Sequence, residues 1–77
     1  MIKIEIIKTP RGFNFRNAES RKLVGTVNEG QNKPGVYLWE TFGEYGFNTL
    51  NRSLNFLKLE LTTRAERLGE EIEFTNI

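Results

Sequence analysis

FNTLNRSLNFLKLELTTRAERL, residues 47–68, decides the fold. Phe47, Leu50, Leu54, Leu57, Leu61, Ala65 and Leu68 recur at spacings of 3, 4, 3, 4, 4 and 3. That is the period of an α-helix burying one stripe, sustained over about six turns. Asn48 and Thr49 are candidate N-caps, because each carries an oxygen that accepts an orphan backbone N–H. Gly69 follows Leu68 and suits the left-handed residue that ends a helix. Arg64 and Arg67 lie in the last turn, where the helix dipole favours cations.

Outside this stretch the period changes to two. Ile2, Ile4 and Ile6 alternate with Lys3 and Glu5, as in a half-buried strand. Thr9-Pro10-Arg11-Gly12 is a turn, and Phe13 and Phe15 continue the pattern, so residues 2–16 form a hairpin. Residues 22–28 form a third strand, in which Gly25 marks a bulge or a close backbone approach. Residues 29–35 form a polar loop with two Gly and one Pro. Residues 36–40, Val-Tyr-Leu-Trp-Glu, form a fourth strand with Val36 and Leu38 on one side and Tyr37 and Trp39 on the other. It is either covered on both faces or presents an aromatic platform. Thr41 to Gly46 connects it to the helix, and residues 71–77 alternate again, as a last strand at the sheet edge or beside strand one.

The order β-β-β-β-α-β predicts one α+β domain over residues 1–77. It is a two-layer sandwich: an antiparallel sheet of four to five strands with one long C-terminal helix packed across it. Ile2, Ile4, Ile6, Phe13, Phe15 and strand-four residues are the expected core facing the helix stripe.

Composition narrows the function. The 77 residues contain no Cys, no His and no Asp; all ten acids are Glu. Thiolate chemistry is excluded, and the commonest metal ligand and general base is missing. Paired Glu, Lys or Tyr can still do acid–base work. A chain this short, however, has little room for a water-excluding pocket with supporting residues. No catalytic residue, metal site or cofactor is assigned, and binding rather than catalysis is the expected role. The glycines form neither GxGxxG nor GxxxxGK, so no phosphate loop is read. No apolar run approaches the roughly 20 residues that span a bilayer. The alternating N-terminus lacks the apolar core of a secretory signal, so a cytoplasmic location is expected.

Two surfaces are candidates. Phe56 and Leu59 lie off the main stripe, and Arg52 and Thr63 extend their line at helical spacing. Such a face suits a protein partner or a homodimer contact. The alternative is nucleic-acid binding. Arg11, Arg16, Arg21, Lys22 and Lys33 would neutralise phosphates while Tyr37 and Trp39 stack bases. Charge is asymmetric: residues 1–38 carry a net +4 and residues 39–77 a net −3. The halves either define an electrostatic face or neutralise each other in the fold. Glu66, Glu70, Glu71 and Glu73 could mimic a row of phosphates, or form a solvated edge that blocks aggregation.

No family motif is present. In style the chain resembles small bacteriophage proteins: one short domain, eight Asn, many Ile and Lys, no catalytic set. That resemblance implies an inhibitor or regulator that blocks a surface of a host macromolecule.

Overall fold

The computed structural model describes residues 1–30 and 32–77; the loop reading at Gln31 lies outside the described residues. In chain order the elements are β1 (Ile2–Thr9), β2 (Gly12–Asn17), β3 (Leu23–Glu29), β4 (Tyr37–Thr41), β5 (Glu44–Asn48), α1 (Leu50–Arg67) and β6 (Ile72–Asn76). The strands form one sheet in the order β5-β4-β3-β2-β1-β6. Neighbours are antiparallel except β1 and β6, which run parallel. The helix carries the chain from the β5 edge back across one face to the β1 side. The α+β sandwich is as expected, with the last strand both at the edge and beside strand one.

The sheet is larger and more mixed than the alternation predicts. The segment read as a connection holds a hairpin turn and all but the last two residues of β5. Phe42 and Gly43 have φ of 43° and 83°, the paired left-handed geometry of a two-residue hairpin turn. Phe is unusual there, because a left-handed backbone crowds its Cβ. Arg64 supports it from the helix: its guanidinium lies 4.5 Å from the Phe42 ring centroid, and its Nη2 donates to the Phe42 carbonyl at 3.3 Å.

The helix buries Ser53, Leu57, Leu61 and Ala65 against Ile4, Ile6, Phe15 and Val27. The expected core residues Ile2, Phe13, Tyr37 and Trp39 pack around this centre, half-buried. Both ends of the apolar stripe differ from expectation. Phe47 belongs to β5, and Leu68, at the C-cap, is 75% exposed. Ser53 is wholly buried, and its hydroxyl donates to the Tyr37 carbonyl at 3.2 Å. This small hydrogen-bonded residue lets the helix approach β4 without stranding a polar group.

The helix termini follow the sequence in part. Thr49 is the N-cap but its side chain makes no capping bond, and Asn48 Oδ1 accepts the Thr49 N–H instead. At the other end Gly69 has φ of 71°. Its N–H donates to the Glu66 carbonyl, and the Glu70 N–H to the Ala65 carbonyl. These paired bonds close a helix on a left-handed residue. Gly69→Ala is therefore expected to cost about 1 kcal/mol, read as a lower thermal midpoint.

Gly25 serves both roles its position suggested. The register between β2 and β3 shifts at Phe15/Arg16, which pairs Phe15 with Gly25 and Arg16 with Leu23. Val24 is the extra residue of this bulge, and its carbonyl accepts the hydroxyl of buried Thr41 at 2.7 Å. A Cβ on Gly25 would lie 2.8 Å from Leu57 Cδ1, so the helix enters the space a side chain would fill.

Candidate protein-binding edge

Cross-strand partners share a sheet face. The registers therefore place Trp39 with Val27 and Gly46 on the helix side, and Tyr37 with Glu29 and Asn48. Strand four is neither doubly covered nor an aromatic platform. The helix lies over Tyr37 and Trp39, and Leu38 faces the open side beside Asn28 and Phe47. The open face continues through Glu40 and Tyr45, Asn14 and Thr26, and Glu5 and Arg16.

The residues suited to nucleic acid do not converge. Antiparallel order puts Arg11, in the β1–β2 turn, and Lys33, in the β3–β4 loop, at one end of the sheet. Arg21 and Lys22, in the β2–β3 turn, lie at the opposite end. Arg11 Nη2 donates to the Glu29 carbonyl. Arg16 Nε and Nη2 both donate to Glu5 Oε1, at 3.0 and 2.8 Å, so its charge is answered on the open face. Tyr37 and Trp39 lie on the other face. A stacking platform needs aromatic faces and cations on one surface, and these seven residues are divided among four places.

The basic and acidic halves of the chain touch at the β1–β6 edge. The N-terminal ammonium pairs with Glu70 at 3.2 Å, and Lys3 sits in register with Glu73. Glu66, at the end of the helix, and Glu71 are both exposed.

The helix residues Arg52, Phe56, Leu59 and Thr63 are partly used within the fold. Phe56 stacks on Trp39 with centroids 6.1 Å apart and planes 25° apart, and stays 43% exposed. Leu59 is 60% exposed and Arg52 is exposed, while Thr63 is half-buried. Arg52, Asn55, Phe56 and Leu59 line a shallow groove.

The Trp39–Phe56 stack reaches toward β5. A Cβ on Gly46 would lie 2.7 Å from Trp39 Nε1, so the indole lies over the Gly46 backbone. On the opposite face Tyr45 and Phe47 meet edge to face at 6.3 Å, both mostly exposed. β5 is thus an edge strand between two aromatic layers, one shared with the helix and one open. Sequence reasoning missed Tyr45 and Phe47 because it assigned the first to a connection and the second to the helix. Their own alternation about Gly46, two residues after Phe42-Gly43, was the available signal.

The edge also offers backbone. Thr41 and Glu44 flank the two-residue turn and form its hydrogen-bonded pair. Pairs alternate from there, so Glu44, Gly46 and Asn48 bond inward to β4, while Tyr45 and Phe47 turn their N–H and C=O outward. An exposed apolar strand with free backbone groups is a template for another strand.

A second feature is a cavity of about 310 Å³ between the sheet and the end of the helix. Ile2, Ile4, Val24, Leu61, Ala65 and Ile72 are among its walls, with Phe42 and Arg64 beside them. Arg64 Nε is buried there without a hydrogen-bond partner among the described residues. The lining holds no acid–base pair. Among the described residues no group of three metal-ligating side chains occurs. Among the described residues no helix is long and apolar enough to cross a membrane.

Compared with known proteins, the chain matches no family, no curated protein and no solved structure.

Proposed function

We propose that this protein is a non-enzymatic protein-binding module that acts by occupying a surface of a partner, as an inhibitor or adaptor does. The observation that carries the reading is the β5 edge. Tyr45 and Phe47 are 67% and 60% exposed on a strand whose outer backbone groups have no hydrogen-bond partner among the described residues. Phe56 and Leu59 extend the apolar surface on the helix side. Exposed apolar patches of this kind mark contacts, and aromatic residues dominate contact energies. The opposite edge makes a contrast. β6 carries Glu73 and is preceded by Glu70 and Glu71, charges that discourage strand addition. β5 carries its single charge, Glu44, at the turn.

Affinity capture from lysate with the wild type and with Tyr45→Lys/Phe47→Lys tests this reading. A bound protein that survives nuclease and is reduced at least about tenfold by the double substitution is expected. Recovery that collapses with nuclease would favour nucleic acid and sink the proposal. So would capture indifferent to the substitutions.

A further inference from the structure

We infer that the occupant of the β5 edge is the β5 edge of a second copy, paired antiparallel about a twofold axis at Gly46. This rests on the reading of β5 as the contact surface and names its partner. The strand Glu44-Tyr45-Gly46-Phe47-Asn48 is self-complementary about its middle residue. In that register Tyr45 faces Phe47 of the second copy, and Phe47 faces its Tyr45. Each pair exchanges two backbone hydrogen bonds, using the groups that β4 leaves free. The central Gly46 pair falls at a position without hydrogen bonds, where the chains approach most closely. Glycine has no side chain to oppose that approach.

Charge and shape agree with this register. Glu44 faces Asn48 of the second copy, so no like charges meet. Two aromatic pairs stack across the axis on the open face. On the helix side, β4 of one copy lies three strand spacings, roughly 14 Å, from β4 of the other. Helices in direct contact lie about 8–10 Å apart, so the helices need large side chains between them. The Trp39–Phe56 stack stands on that side of each molecule, with Phe56 still 43% exposed. A five-residue strand alone falls short of the roughly 1,200–2,000 Å² that stable interfaces bury. The flanking aromatic layers extend the contact on both faces, and the isologous geometry uses every contact twice.

Sedimentation velocity on the full chain tests the inference directly. The wild type is expected at twice the 9.0 kDa chain mass at micromolar concentration. Tyr45→Lys/Phe47→Lys places lysines opposite one another, and Tyr45→Glu/Phe47→Glu places glutamates opposite one another. Each variant alone is expected to be monomeric, with a dissociation constant raised at least about 100-fold. An equimolar mixture is expected to form a heterodimer, because lysine then faces glutamate at every pair. Circular dichroism of each variant should match the wild type, since both side chains are exposed. A wild type that stays monomeric at hundreds of micromolar overturns the inference. So does a dimer that survives both double substitutions. If the wild type is monomeric but the lysine variant still loses a captured protein, the second copy is wrong and the binding edge stands. If capture is also unchanged, both fall.

Discussion

Phe15→Ala is expected to remove about 3–5 kcal/mol of stability. Domains of this size hold roughly 0.05–0.15 kcal/mol per residue, or about 4–12 kcal/mol in all. The loss is therefore at least about a quarter of the whole stability, and all of it at the lower end of that range. Phe15 is fully buried at the centre of the sheet. It pairs with Ile6 on one side and Gly25 on the other, and meets the Phe74 ring edge to face at 6.1 Å. One side chain thus touches the layer that joins β1, β2, β3 and β6. Its removal leaves a cavity that neighbours held by sheet hydrogen bonds cannot collapse to fill. Phe15→Leu keeps most of the apolar volume and should cost about 1–2 kcal/mol, which keeps the comparison measurable. Equilibrium urea denaturation of the three proteins checks both values. A loss below about 1 kcal/mol for Phe15→Ala would show that the core is not centred there.

Gly25→Val is expected to be nearly as damaging for the opposite reason. Gly25 is itself buried. A Cβ there would lie 2.8 and 3.1 Å from the two Leu57 methyls and 3.0 Å from the Glu40 carbonyl oxygen. A methyl can move, but the backbone oxygen of a paired strand moves only with β4. Overpacking typically costs 1–3 kcal/mol, and Val should reach the upper part of that range. The mechanism predicts coupling. Gly25→Ala should cost at least about 1 kcal/mol less when Leu57 is also Ala, because the intruding methyls are gone. A double-mutant cycle in trimethylamine N-oxide, which keeps the weakest variant folded, measures that difference. Additive costs would mean that the Glu40 carbonyl or the bulge, and not the helix approach, requires Gly25.

Both residues were visible in the sequence for different reasons. Phe15 stood in an alternating run with Phe13, and alternation alone assigns a face. Gly25 interrupted a β-rich run, and a glycine there has few other uses. Val27, fully buried, escapes a period-two reading because its run lacks strict alternation. The bulge beside Gly25 shifts the phase of β3, so a period-two count cannot follow it.

The candidate site was legible only on its helix side. Arg52, Phe56, Leu59 and Thr63 were found from 100° steps around a helix, which need no tertiary knowledge. Tyr45 and Phe47 were missed because Phe47 also fits the helical stripe at i−3 from Leu50. A period of 3.6 and a period of two agree over so short a distance. Only the hairpin turn at Phe42-Gly43 separates them, and its first residue is not a usual turn former. The turn is held from outside by Arg64, twenty-two residues away in the chain. Trp39 and Tyr37 were ambiguous for a related reason. Alternation says that two residues share a face, but not which face a helix will cover.

Local rules were sufficient wherever one segment's own period and end residues set its structure. The helix at Leu50–Arg67 with its Gly69 stop, the β1–β2 hairpin and the final strand all follow from spacing, turn chemistry and left-handed glycine. They also sufficed for the absence of thiol and imidazole chemistry, which is a matter of composition. Tertiary structure alone decided which sheet face the helix covers, where the bulge resets β3, and that β5 forms one of the sheet's two edges. Each of these depends on pairing between segments distant in the chain. An edge in particular is defined by the strand that is not there, and no local pattern records it.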